Sequence, residues 1–356
     1  MNNIFFCTIF VFFLFCKNPV HSEKILFVGE LGNGDKRILL PLKHKDNVFY
    51  TFGESWWKIT NELERRGITT TFRKSSEFGF FKRDYEEQYD LYIFLDCPTY
   101  LKRRAIRKHL NKSFLILSEP KSVIPSQYSD KLHKKFAKVF TWDDGLLHKL
   151  NVIKYCYPIY KIFQGGRSFT DRKLCCMMAG NKASTYQHEL YSARLKIIRF
   201  FENINSTEFD LYGPGWNKNE HPRFVGYAKN KIEVLKTYKF NFCLENTKSS
   251  EGYVSEKIFD SFEAGAIPVY LGSSNIDKYI PRDCYIDYGN VSSEKVLYDF
   301  MHSFTQEDYE KYIKSIKKYL NSDQVNQFKV DSYVKIFLRE ILHFLRHTDD
   351  IEKWSS

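Results

Sequence analysis

The sequence predicts an α/β protein built from two Rossmann-like, doubly wound domains facing each other across a cleft. Three observations carry that prediction. Short apolar runs alternate with longer amphipathic stretches from end to end, as expected of βαβ units whose parallel sheets are covered by helices. The 356 residues leave room for about two ordinary domains. A turn-rich stretch, from Tyr157-Pro158 through Gly165-Gly166 to Asp171, divides the alternation into halves.

The elements follow in order. Ile4–Cys16 (IFFCTIFVFFLFC) is a 13-residue apolar run broken only by Thr8. It has the length of a signal-peptide core and falls short of the ~20 residues of a spanning helix. Val20 and Ser22 suit cleavage after Ser22, although no Lys or Arg precedes the run. Residues 1–22 therefore read as a signal peptide, with a short uncleaved anchor as the rival. Either sends the chain to the lumen of the secretory pathway, Golgi or ER, and the anchor would attach it to the membrane. The first domain, 23–157, has strands at Ile25–Val28, Leu91–Leu95, Phe114–Leu117 and Val139–Thr141, with helices at Ser55–Arg66 and Tyr100–Leu110. The second, 158–356, has strands at Leu174–Met178, Phe209–Tyr212, Phe240–Leu244 and Ile267–Leu271, with helices at Thr185–Glu202 and Ser255–Ala264. A mostly helical segment, Thr305 to His347, closes the chain and is placed to pack back across the cleft. Sheets of this kind bind ligands in the crevice outside the carboxyl ends of their strands.

Composition excludes several classes. Hydrophobic residues at 43% and charged ones at 27% describe a globular chain, not a disordered or collagenous one. The formal charge of +11 suits an anionic partner such as a nucleotide, an acidic glycan or a membrane surface. The basic residues are spread along the chain, so no nucleic acid partner is expected. No G-x-G-x-x-G follows the first strand, since Gly29, Gly32 and Gly34 have the wrong spacing, and a dinucleotide dehydrogenase is disfavoured. Cys97, Cys156, Cys175, Cys176, Cys243 and Cys284 are even in number and open to pairing in an oxidising lumen. Several lie inside apolar runs, which equally fits buried free thiols. None has metal-ligand spacing. Asn111-Lys-Ser, Asn205-Ser-Thr and Asn290-Val-Ser would be glycosylation acceptors in that lumen.

The chemistry concentrates in Tyr238–Pro281, YKFNFCLENTKSSEGYVSEKIFDSFEAGAIPVYLGSSNIDKYIP. A strand leads into a polar loop, then a helix opened by Ser255 as N-cap, ended by Gly265 and followed at once by AIPVYLG. The helix N-terminus gathers unpaired N–H groups and suits a phosphate, to which Lys257 adds a full positive charge. Glu256 suits sugar or ribose hydroxyls.

This stretch resembles the signature of the α-1,3/4-fucosyltransferase family. The matching residues are Leu244-Glu245-Asn246, Gly252-Tyr253-Val254-Ser255-Glu256-Lys257 and Ala264-Gly265-Ala266-Ile267-Pro268-Val269-Tyr270-Leu271-Gly272. Leu244 replaces the usual Phe, and the loop from Asn246 to Tyr253 is one residue longer. The resemblance implies a two-domain GT-B fold, GDP-fucose as donor and inversion at the fucose anomeric carbon. It implies no obligatory cofactor or metal, a divalent ion being at most stimulatory. Carried over by motif, Lys257 holds the diphosphate, Glu256 the ribose, and Asn246 and Tyr253 line the donor pocket. Upstream, Ser192-Ala-Arg194 and the following helix, ahead of Asp210-Leu-Tyr-Gly213, resemble the family's phosphate-gripping helix, with Arg194 as the ligand. The family's general base is a Glu after a first-domain strand, matched here by Glu119 in Phe114-Leu-Ile-Leu-Ser-Glu-Pro120. Asp143 and Asp144 read as turn residues rather than metal ligands. The implied reaction moves L-fucose to a hydroxyl of an oligosaccharide or glycoprotein acceptor, the 3-hydroxyl of an N-acetylglucosamine. The alternatives are a GT-B transferase using another nucleotide sugar, or an inactive glycan- or nucleotide-binding module with Trp56, Trp57, Trp142 and Trp216 stacked on sugars.

Overall fold

The computed structural model describes residues 22–29, 49–74, 88–96 and 109–346. The Ile4–Cys16 run, Cys7, Cys16, Cys97 and most of the expected helix Tyr100–Leu110 lie outside the described residues. Among the described residues no helix is long and apolar enough to cross a membrane.

Two parallel sheets of six strands each form the frame. The first runs β2-β1-β3-β4-β5-β6, from β1 (Lys24–Gly29), β2 (Thr69–Lys74), β3 (Leu91–Leu95), β4 (Ser113–Leu117), β5 (Lys138–Thr141) and β6 (Val152–Lys154). The second runs β12-β11-β10-β7-β8-β9, from β7 (Lys173–Met178), β8 (Phe209–Tyr212), β9 (Phe224–Gly226), β10 (Tyr238–Leu244), β11 (Ile267–Leu271) and β12 (Ile286–Asp287). Counted from β7, that order is 3-2-1-4-5-6, with the reversal between β7 and β10. The central strands are apolar throughout because both faces are covered, β4 (SFLIL) being buried at every position.

The helices are α1 (Phe49–Arg65), α2 (Asp130–His133), α3 (Tyr191–Asn203), α4 (Lys231–Leu235), α5 (Glu256–Ala264), α6 (Glu294–Ser303), α7 (Gln306–Leu320) and α8 (Val330–Phe344). The last one crosses back. Phe337, Leu338 and Ile341 of α8 are buried with Trp56, Ile93, Phe114 and Phe140 of the first sheet's core. Phe337 stacks on Phe140 at 4.3 Å. By contrast Ile313, Ile316 and Tyr319 of α7 pack with Phe259 and Phe262 of the second half.

One expected helix is shorter than its sequence pattern. Thr185–Glu202 becomes α3 only from Tyr191, because residues 188–190 pair instead with the loop after β10. Lys248 N–H donates to His188 O (2.8 Å), Leu190 N–H to Asn246 O (3.2 Å), and Glu189 Oε2 accepts from Tyr191 N–H (2.6 Å) at the helix start. Asp143 caps a turn, Oδ1 accepting from Gly145 N–H at 3.0 Å. Among the described residues Cys156, Cys175, Cys176, Cys243 and Cys284 are free and buried.

The two halves are locked together beneath the cleft. Asp144 accepts from Lys154 Nζ (2.5 Å) of its own half and from Asn275 Nδ2 (2.8 Å) and Tyr279 OH (2.6 Å) of the other. Gly252, at φ 80°, approaches the first half so closely that a Cβ there would lie 2.3 Å from Trp142 O and 2.6 Å from Lys154 Nζ. The next residue, Tyr253, lays its ring on Trp142 at 4.5 Å. Gly252→Ala combines a left-handed backbone with that collision, and is expected to cost about 2–3 kcal/mol of stability, read as a lower urea midpoint.

Candidate active site

The carboxyl ends of β4, β7 and β10 face one crevice. Glu119 leaves β4 two residues past its end, with Pro120 fixing the exit. Its peptide is tightly held: Asp96 Oδ1 accepts its N–H (3.0 Å), while Gln127 Nε2 (3.0 Å) and Tyr128 OH (2.8 Å) donate to its carbonyl. Trp142 Nε1 (3.1 Å) and the Tyr157 hydroxyl both donate to the carbonyl of Ser118. The Glu119 carboxylate itself takes no hydrogen bond among the described residues. Burial pushes its pKa above the usual range, Asp96 and Glu256 add to this, and Lys182 and Lys257 from across the cleft oppose it.

On the opposite wall, β10 is followed at once by a fully buried carboxylate, Glu245. Ser255 donates its N–H to Oε1 (2.8 Å) and its hydroxyl to Oε2 (2.6 Å), and Lys257 Nζ donates to Oε2 (3.0 Å). Ser255 therefore stands at the N-cap position of α5 with its side chain turned away from capping. The first N–H groups of the helix are left without a cap from Ser255. Burial lowers the Lys257 pKa, but Glu245 and Glu256 outweigh it, and the net shift is upward, so the ammonium stays charged. The motif's last glycine makes room for Glu245: a Cβ on Gly272 would sit 2.5 Å from its Cγ. Gly265 closes α5 in the left-handed conformation, φ 65°, which returns the chain at once to β11.

Arg194 is 4% exposed, not a surface residue of α3. Its Nη2 donates to the carbonyls of Leu244 (2.7 Å) and Glu245 (2.6 Å) and to Asn246 Oδ1 (3.0 Å), and its guanidinium lies over the Tyr191 ring at 5.0 Å. Its buried Nε has no hydrogen-bond partner among the described residues. A cavity of about 240 Å³ opens beside it, lined also by Gly180, Lys182, Tyr191 and Trp216. The loop carrying Lys182 is tied to the Glu119 loop, Ser184 Oγ donating to Ser122 O at 2.8 Å.

Arg194, Asn246, Glu256 and Lys257 thus gather around the ends of β7 and β10, with Glu119 facing them from β4. Tyr253 is deeper. Its ring belongs to the core shared with the first sheet, and it reaches the group through its hydroxyl, which accepts from Asn246 Nδ2 at 3.4 Å. Trp56 and Trp142 are buried at 2% and 1%, so neither is a platform for a sugar; Trp216 borders the cavity and donates to Ala179 O (2.6 Å). Sequence reasoning assigned no role to Glu245, Asp96 or Lys182. Glu245 was inside the motif, and Asp96 carried a signal, an acid at the carboxyl end of an apolar strand. Lys182 carried none. No cluster of three His, Cys, Asp or Glu side chains with metal-holding geometry occurs among the described residues.

Residues 171–347 match the family model described as glycosyltransferase family 10 (fucosyltransferase), C-terminal. The chain is 32% identical over 348 residues to Alpha-(1,3)-fucosyltransferase FucT of Helicobacter pylori, a match covering 93% of this chain and 58% of that one. Over 107 residues it is 30% identical to the 4-galactosyl-N-acetylglucosaminide 3-alpha-L-fucosyltransferase 9 of Cricetulus griseus, covering 29% of this chain and 28% of the relative. A crystal structure of alpha1,3-fucosyltransferase with GDP-fucose superposes with a TM-score of 0.53 at 16% identity, over 89% of each chain. That likeness carries the fold, GT-B.

Glu256 supplies a test of the electrostatics. Burial raises its pKa, but Lys257 and Lys231 outweigh this and bring it down to about 2. The folded value lies below the unfolded one of about 4.3, so the stability from the ionised group is full above that pH and is lost as pH falls towards 2. Glu256→Gln is expected to flatten the stability–pH curve across that acid window, measured as urea midpoints at a series of pH values.

Proposed function

We propose that this chain, which belongs to glycosyltransferase family 10, transfers L-fucose from GDP-β-L-fucose to the 3-hydroxyl of an N-acetylglucosamine unit, with inversion at the anomeric carbon. One observation carries the reading. A carboxylate on a tightly held peptide faces, across a single cleft, two cations and a helix N-terminus clustered at the switch point of the second sheet. The names of the relatives supply the donor and the acceptor class.

The residues divide the chemistry by wall. Arg194, Lys257 and the N-terminus of α5 receive the diphosphate, and they hold the negative charge that GDP gains when the bond from its β-phosphate oxygen to the sugar breaks. Glu256 in the first turn of α5 accepts hydrogen bonds from ribose hydroxyls, and Asn246 orients Arg194 from the side. As the acceptor oxygen bonds to the anomeric carbon, Glu119 takes its proton from the opposite face. Burial and the neighbouring Asp96 move Glu119 towards the pH at which a base works best. The charge handling rests on these side chains and on backbone N–H groups, and no obligatory metal or cofactor is proposed. A place in the lumen of the secretory pathway, entered through the apolar N-terminus, fits a glycan acceptor.

Glu119→Gln is expected to lower turnover by about 10²–10⁴ with GDP binding unchanged, measured as fucose transfer to N-acetyllactosamine alongside calorimetric titration of GDP. Lys257→Ala is expected to weaken GDP by about 1.5–3 kcal/mol. Thermal unfolding with GDP, UDP, GDP-fucose and GDP-mannose tests the donor. Stabilisation by GDP and GDP-fucose that Lys257→Ala abolishes supports the assignment, whereas stabilisation by UDP alone keeps the fold and discards fucose.

A further inference from the structure

Strand β3 ends in an acid that the mechanism above uses only as a neighbouring charge. Asp96 follows Leu95 with a left-handed backbone, φ 54°, a conformation that aspartate tolerates better than most residues. β3 is hydrogen-bonded beside β4, so this turn lies directly next to the exit of the strand that carries Glu119. The Asp96 N–H itself donates to Ile116 O of β4 at 2.8 Å.

We propose that Asp96 is a positioning residue for Glu119, its carboxylate gripping the exit of β4 and fixing the peptide that presents the base to the cleft. Oδ1 accepts from Ser118 N–H (2.8 Å), Glu119 N–H (3.0 Å) and Gln127 Nε2 (2.8 Å), and Oδ2 accepts from the Ser118 hydroxyl. Gln127, fully buried, also donates to the Glu119 carbonyl, joined there by Tyr128. Both polar groups of the Glu119 peptide are thereby held, and the orientation of its side chain is left with χ freedom alone. The inference rests on the reading of Glu119 as the base.

The same carboxylate acts through its charge. Asp96 faces Glu119 from β3, with Glu256 and Lys257 from α5 and Lys182 from the loop after β7. The phenols of Tyr128 and Tyr157 face both carboxylates, Tyr155 faces Asp96, and Tyr191 and Tyr253 face Glu119. Asp96 and Glu256 disfavour ionisation of Glu119, while the two lysines favour it. An amide in place of Asp96 keeps the geometry, since its oxygen can take the three N–H donors and its nitrogen can donate to the Ser118 hydroxyl. It removes only the charge. Alanine removes both.

The full chain with Asp96→Ala, Asp96→Asn, Ser118→Ala and Glu119→Gln separates these effects. Asp96→Ala should lower kcat for transfer from GDP-fucose to N-acetyllactosamine by about 10- to 100-fold, with GDP affinity unchanged. Asp96→Asn should recover most of that turnover and move the acid limb of the pH–rate profile to lower pH. NMR of isotope-labelled glutamate carboxyls, with Glu119→Gln assigning the signal, should show the Glu119 titration moving down in Asp96→Asn. That readout needs no turnover. Should Asp96→Ala fail to fold, Ser118→Ala, which deletes one donor of the grip, should still lower kcat without changing GDP affinity. Wild-type kcat in Asp96→Ala, or in Ser118→Ala where it stands in, overturns the proposal, as does an unmoved Glu119 titration in Asp96→Asn. Glu119→Gln tells the two readings apart. If it is dead while Asp96→Ala is fully active, only the role of Asp96 falls; if it keeps wild-type turnover, the base assignment falls and this inference with it.

Discussion

A carboxylate with no exposed surface has to be matched by donors and positive charge, and Glu245 is such a group at the end of the central strand of the second sheet. Its partners are the Ser255 N–H, the Ser255 hydroxyl and the Lys257 ammonium. Much of the cleft follows from meeting that demand. Ser255 is drawn off its capping role, leaving the first N–H groups of α5 uncapped by it. Lys257 is held at the mouth of the same helix. The strand after α5 must be followed by Gly272, because any side chain there would displace Glu245. The backbone carbonyls on either side of the buried acid's Cα hold Arg194 in place. The two cations are thus held by the protein's own carboxylate and carbonyl groups.

The facing wall is built by different means. Around Glu119 the backbone is held, while Lys182 and Lys257 face the carboxylate only from across the cleft. Asp96, Gln127, Tyr128, Trp142 and Tyr157 bind the peptides of residues 118 and 119. Among the described residues the Glu119 carboxylate takes no hydrogen bond, and Asp96 stands beside it. Glu245, by contrast, accepts three such bonds. These two glutamates, each just past the end of an apolar strand, thus differ in how their carboxylates are held among the described residues.

The walls keep their distance because the halves do not hinge on a bare linker. Helix α8 packs on the first sheet from the end of the chain, Tyr253 enters the first sheet's core, and Asp144 bonds to Asn275 and Tyr279. Trp142 joins the two concerns, with its indole N–H on the Ser118 carbonyl and its ring on Tyr253.

The inner strands of both sheets were legible in the sequence, because burial on two faces writes an unbroken apolar run. β2, β6, β9 and β12 were not, and these are the four sheet edges. They are short or half polar, as Thr-Thr-Thr-Phe-Arg-Lys is in β2, since an edge buries less. The start of α3 was misjudged because residues 188–190 pair with a loop distant in sequence, which no local periodicity records. For the site, the segment from Leu244 to Gly272 determined by itself the family resemblance, the helix that opens at Glu256 and the charges at its mouth. It could not distinguish Arg194 on a surface from Arg194 buried under β10. Nor could it show that Glu245, an unassigned letter in the motif, organises the rest, or that Asp96 holds Glu119. Those relations join residues distant in sequence through hydrogen bonds, and only the pairing of strands and the docking of helices within each half bring such donors and acceptors together.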